Sequence, residues 1–173
     1  MLSVLLVGLD NVGKSTLLAH GKALPPMTTM EIVPTMGFAI EHLNTGRGTR
    51  TVVYDCSGQA RYRKMWDHFM NEADGFIYVI DASDKIRLSI VKDVIQDLVA
   101  HPQAKKKPIT FLINKRDAED TIPKEEIKRL LGLNKKNIPN KFAVKKADGH
   151  NGMGLNDALQ FIETHKTKRI DIK

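Results

Sequence analysis

Eight residues near the start of the chain, Gly8-Leu9-Asp10-Asn11-Val12-Gly13-Lys14-Ser15, match G-x-x-x-x-G-K-S without departure. They follow an apolar run at 3–8, short enough for a buried strand, and open a stretch of helical character over 14–24. A junction of strand, glycine loop and helix leaves few folds open, because the strand must be covered and the helix must pack back on its sheet. The loop has a chemical meaning in that context. Glycines let successive backbone N–H groups wrap phosphate oxygens, and the helix N-terminus adds the positive end of its dipole. Asp10, Asn11, Val12, Gly13, Lys14, Ser15 and Thr16 are therefore candidate phosphate-binding residues, with Lys14 reaching the β/γ-phosphates and the Ser15 hydroxyl reaching Mg²⁺. This motif names a nucleoside triphosphate without saying which one.

The rest of the chain repeats the alternation. Further strand-like runs are predicted at 37–43, 49–54, 73–81, 109–114 and 141–144. The second and third flank Asn44-Thr45-Gly46-Arg47-Gly48, a hairpin signal. The segment 25–35 holds three prolines and no clean period, so it reads as a loop. Between the fourth and fifth runs, Leu88, Val91, Val94, Ile95, Leu98 and Val99 recur at helical spacing. Pro123 is placed to start another helix, carrying Ile127, Leu130 and Leu131 on one face. Leu155, Ala158, Leu159 and Ile162 give a closing helix its stripe. The expectation is an α/β P-loop NTPase fold: a mostly parallel six-stranded sheet, one antiparallel edge hairpin, and helices on both faces. At 173 residues, against roughly 150 per domain, residues 1–173 read as one domain.

Composition removes several alternatives. The one cysteine, Cys56, excludes an internal disulfide framework and a multi-cysteine zinc site, and reads as a small, reduced, partly buried side chain of a cytoplasmic protein. No apolar run approaches the roughly 20 residues of a membrane span. The net charge is +7, but its lysines are scattered and no aromatic-interleaved pattern accompanies them. That speaks against nucleic acid and leaves solvated surface, with attraction to an anionic membrane face or an acidic partner as the second reading.

Three further motifs narrow the chemistry. Asn114-Lys115-Arg116-Asp117 follows an apolar strand about 100 residues after the phosphate loop. An Asp117 carboxylate there can accept from the two adjacent N–H donors of guanine, which adenine does not offer, so GTP is favoured over ATP. Asp55-Cys56-Ser57-Gly58-Gln59 also sits at a strand end. Asp55 can hold a metal-bound water, the Gly58 N–H can approach a γ-phosphate, and Gln59 can orient an attacking water. Thr35, in Pro34-Thr35-Met36-Gly37-Phe38, is a candidate second Mg²⁺ ligand beside Ser15.

With GLDNVGKST, PTMGF, DCSGQ and NKRD in place, residues 4–165 resemble a small GTPase of the Arf and Arf-like family. The stretch DCSGQARYRKMWDHF and the segment Leu98-Val99-Ala100-His101-Pro102 are most similar to the subgroup linked to Bardet–Biedl syndrome, whose members recruit the ciliary BBSome coat. That subgroup carries a serine where Ser57 stands. The resemblance implies a monomeric switch that cycles between GTP and GDP with Mg²⁺, recruits effector or coat proteins in membrane or ciliary trafficking, and hydrolyses GTP slowly as a timer. It implies an exchange factor and an activating protein as partners, contact with effectors through Phe38, Tyr54, Trp66 and Phe69, and a hairpin that slides by two residues on switching. It also implies a loop over the guanine near Lys146 or Ala147, with either backbone N–H as the donor. The family's N-terminal amphipathic helix is expected to be absent, since Met1-Leu2-Ser3 runs straight into the first strand with no glycine after Met. Either the chain has been shortened, or membrane contact is peripheral, through partners and charge, at the ciliary base or elsewhere. Two other readings compete: a P-loop nucleoside or metabolite kinase, which needs an acceptor site not evident here, and a GTP-binding interaction module without hydrolysis, against which Gln59 argues. No arginine is evident over the γ-phosphate from the sequence.

Overall fold

The computed structural model describes residues 1–21, 35–44 and 48–167. Its elements are β1 (Leu2–Gly8), α1 (Lys14–Gly21), β2 (Phe38–Asn44), β3 (Arg50–Cys56), α2 (Met65–Met70), β4 (Gly75–Asp81), α3 (Leu88–Ala100), β5 (Ile109–Asn114), α4 (Lys124–Leu131), β6 (Phe142–Lys146) and α5 (Leu155–His165). They build one six-stranded sheet in the order β2-β3-β1-β4-β5-β6. Every pairing is parallel except β2 with β3, which runs antiparallel from Phe38 opposite Cys56 to Asn44 opposite Arg50. The expected architecture is therefore the observed one.

Strand order decides where the helices lie. From β1 the chain crosses to β3 in one direction, whereas β3 to β4, β4 to β5 and β5 to β6 all step the other way. Right-handed crossovers then place α1 on one face and α2, α3 and α4 on the opposite face. α5 packs against α1 and α3 against α4, consistent with that division. Covered on both sides, β1, β4 and β5 are buried along their whole length, which is why they read as continuous apolar runs. The C-terminal ends of these three strands carry the phosphate loop, Asp81 and Asn114 to a common edge.

Several boundaries, by one or two residues each, and one element differ from expectation. β4 starts at Gly75 instead of 73. β6 covers Phe142–Lys146, two residues further than the apolar run, because its half-buried edge position tolerates lysines. Pro123 caps α4 from outside with extended ψ, and the helix begins at Lys124. The helix α2, Met65–Met70, was not predicted at all: six residues are too few to show a helical period. The expected extension of α1 past Gly21, the proline loop up to 34 and the turn at 45–47 lie outside the described residues.

Cys56 closes β3 and is fully buried, and burial, with the Asp55 carboxylate beside it, pushes its thiol up to about 12. Since the thiolate is the reactive form, alkylation of the native chain should run at least roughly a thousandfold slower than that of a free cysteine. Labelling that keeps pace with a free thiol would mean that the β2–β3 ribbon opens readily.

Candidate functional site

The loop between β1 and α1 wraps a cleft of about 220 Å³ whose lining includes Asp10, Lys14, Ser15, Thr16, Thr35 and Gln59. Gly13 turns the loop at φ 90°, and a Cβ there would stand 2.5 Å from the Asn114 side chain, so only glycine fits. Lys14 is 7% exposed and donates to the carbonyls of Leu9 at 2.8 Å and Gly8 at 3.4 Å. Burial pushes its ammonium down to about 8, against the opposing pull of the Asp55 and Asp10 carboxylates. A buried cation in that condition is matched to an anionic ligand.

Opposite Lys14, three oxygens gather. Ser15 Oγ donates to Asp55 Oδ2 at 2.6 Å, lies 2.9 Å from Thr35 Oγ1, and Thr35 Oγ1 donates to the same carboxylate at 3.5 Å. Burial pushes the Asp55 carboxyl above its usual range, a rise that the bond from Ser15 partly offsets. Its Oδ1 is buried with no partner among the described residues. An orphaned carboxylate oxygen beside two hydroxyls is the donor set that a hard divalent cation takes, so Ser15 and Thr35, with Asp55 behind them, fit Mg²⁺.

Gly58 closes the far side. A Cβ on it would fall 2.1 Å from Leu9 C and 2.3 Å from Asp10 N, so this segment lies directly on the phosphate loop. The Ser57 N–H donates to Gly37 O at 2.9 Å and the Trp66 indole to Ser57 O at 3.0 Å, so β2, the Asp55–Gln59 turn and α2 are tied together. Gln59 borders the cleft and its Oε1 accepts from Arg61 Nε at 3.0 Å. Gly58→Ala should bar this closed arrangement and weaken binding of a triphosphate analogue at least tenfold relative to the diphosphate. Equal loss for both nucleotides would show that the contact serves packing alone.

The end of the site where the base is expected is built from two loops and a staple. Asn114, 2% exposed, donates through Nδ2 to Val12 O and accepts at Oδ1 from Gly149 N, both at 2.9 Å. Lys115 adopts φ 57°, an uncommon value for a lysine, and from there reaches Asn11 O at 2.5 Å and Asp81 Oδ2 at 2.9 Å. Burial pushes the Asp81 carboxyl up, but hydrogen bonds from Ser83 and Lys115 outweigh it and hold it below the usual range. Asp117 is exposed, its Oδ2 3.5 Å from His150 Nε2. The Ala147 N–H donates to Ile113 O at 2.8 Å, and those of Asp148 and Gly149 go to Met153 O and Asn114. Lys146, exposed at the end of β6, is the one of the two expected guanine neighbours whose amide alternation turns away from β5.

Phe38, Tyr54 and Phe69 form one cluster, with Phe69 4.8 Å from each of the other two rings. Trp66 and Phe69 are buried, whereas Phe38 is exposed, together with Met36 and Ile40. Arg87, to which sequence reasoning assigned no role, reaches the phosphate loop from the start of α3: its Nη1 lies 2.9 Å from Asp10 Oδ1 and its Nη2 3.2 Å from Asp10 O. No local signal could have found it, because 77 residues separate the two.

A strand-loop-helix phosphate cradle, a two-hydroxyl cation site and a threonine folded over both define a nucleoside-triphosphate switch site. The ADP-ribosylation factor family profile matches residues 1–166, and the chain belongs to that family. It is thus a small GTPase, which takes GTP and GDP with Mg²⁺ and hydrolyses GTP, and whose relatives work with effectors, exchange factors and activating proteins. It is 36% identical over 164 residues to ADP-ribosylation factor-like protein 6 of Danio rerio, covering 93% of this chain and 86% of the relative. It is 30% identical over 171 residues to the protein of the same name from Caenorhabditis elegans, covering 98% and 88%. Among solved structures it is similar to the Arl6 BBS3 small GTPase of Trypanosoma brucei with bound GppNp. That match has a TM-score of 0.83 and 28% identity, and covers 94% of this chain and 95% of the other. The expected resemblance to the Bardet–Biedl-linked subgroup is borne out by these relatives.

Proposed function

We propose that this chain is an Arf-like 6-type switch: loaded with GTP it recruits an effector or coat protein to a membrane or ciliary site, and hydrolysis ends the contact. The observation that carries the reading is the joint closure of Thr35 and Gly58 on the phosphate loop, with the β2–β3 ribbon attached to both. Mg²⁺, when bound, screens the phosphate charge; the protein's own groups do the rest. Lys14 and the loop amides hold the β- and γ-phosphates, and Ser15 and Thr35 present their hydroxyls to the cation. Asp55 fixes both hydroxyls. Gln59 orients the attacking water once its amide leaves Arg61. Asn114, Lys115 and Asp117 hold the guanine, with Lys146 and Ala147 beside it.

Coupling to partners runs through the ribbon. A slide of one residue would turn its side chains over, so a switching slide is two residues, or roughly 7 Å at 3.3 Å each. That would carry Phe38 and Tyr54 past Phe69 and change the apolar surface around Met36, Phe38 and Ile40 that meets the effector. Among the described residues no helix is long and apolar enough to cross a membrane, which suits peripheral attachment. Residues 1–173 act as one unit, a monomer in this reading. Hydrogen exchange over residues 38–56 in the GDP and GppNp forms tests it: protection should differ between the two, and identical patterns would remove the switch.

A further inference from the structure

We propose that Arg87 sets the preference for triphosphate over diphosphate by cancelling the charge of Asp10 at the γ end of the cleft. The inference rests on the switch reading above and concerns a side chain outside the phosphate loop. The place of Asp10 follows from its neighbours. The cleft it lines is shared with Gly58 and Gln59, and the Gly58 backbone lies on the Leu9–Asp10 peptide. Asn114 and Asp117 mark the opposite, base end. Asp10 therefore stands where the terminal phosphate enters, and an uncompensated carboxylate there repels the one group that distinguishes the two nucleotides.

Arg87 answers that charge from α3. One nitrogen of its guanidinium meets the Asp10 carboxylate at 2.9 Å and a second meets the Asp10 carbonyl at 3.2 Å, so both the charge and the loop backbone are held. The remaining edge is committed as well: Nε donates to Asp84 Oδ2, while the Arg87 N–H donates to Asp84 Oδ1 at 3.1 Å. Arg87 is 28% exposed against 50% for Asp10. An ordinary surface ion pair contributes little to stability and needs neither a backbone contact nor a second carboxylate to aim it. The planar fork makes these contacts from separate nitrogens in one fixed geometry. Arg87 is a positioning residue here: it acts on the phosphate through Asp10.

The test measures affinities of the Mg²⁺-supplemented full chain for GDP and GppNp, in wild type, Arg87→Ala, Asp10→Asn and the double variant. Arg87→Ala should lose roughly tenfold in GppNp affinity relative to GDP, and the deficit should shrink as salt is raised. Asp10→Asn alone should shift the ratio toward GppNp, and added to Arg87→Ala it should restore it. Equal weakening of both nucleotides by Arg87→Ala, or a double variant no better than the single, would overturn the proposal. If the alanine variant melts early, Arg87→Gln removes the charge while keeping a donor and reads the same ratio. A wild-type chain that binds neither nucleotide would sink the switch reading and this inference together, whereas guanine binding with an unmoved ratio would sink the inference alone.

Discussion

Lys14→Ala should lower GTP affinity by at least a hundredfold. The ammonium is almost fully buried, and its present partners are two carbonyls of its own loop. A phosphate gives it a full opposite charge and short charge-assisted bonds, in a place where water offers little competition. Removing one partner of a buried charge pair costs about 3–5 kcal/mol, and each 1.4 kcal/mol is about tenfold. Ligand-induced thermal shift gives a second reading. Wild type should gain melting temperature steadily with GTP, and the variant should gain none at concentrations that saturate wild type. Unchanged affinity would remove the phosphate-loop assignment and with it the whole site.

Asp117→Asn should invert the preference between GTP and XTP, changing the ratio of their affinities on the order of a thousandfold. A carboxylate accepts the two N–H groups on the guanine edge and repels the carbonyl that xanthine carries in place of the amino group. An amide keeps one acceptor and supplies the donor that carbonyl needs. The exposure of Asp117 in the structure and its 3.5 Å approach to His150 leave the carboxylate accessible to a base edge. Competition between labelled GTP and XTP reads the ratio directly. A ratio that does not move means another residue reads the base.

Legibility from sequence followed the range of the interactions. The phosphate loop, the central strands and the Asn114–Asp117 motif are patterns of consecutive residues, so the sequence shows them directly. β1 and β5 were readable because burial on both faces leaves one unbroken apolar run in each. α2 was silent because a six-residue helix held by Trp66 to Ser57 owes its existence to that contact and not to a repeat. The guanine loop stayed open between Lys146 and Ala147 because amide direction depends on the register of β6 against β5, which pairs Lys146 with Ile113. Arg87 could not be placed at all: its partner comes from the other end of a crossover, and only the folded sheet brings α3 beside the first loop.

The Asn114 side chain has a kinetic consequence. One buried amide bonds the phosphate loop on one side and the 147–154 loop on the other. On the proposed reading, the parts that grip the phosphates and the parts that flank the base are thus joined through Asn114, with Lys115 Nζ on Asn11 O beside it. If the two loops hold the nucleotide as proposed, its release should be concerted, both loops loosening together. By the same connection, a protein that pries at either loop loosens the other. A catalyst of nucleotide release can thus work from one side of the molecule without touching the base.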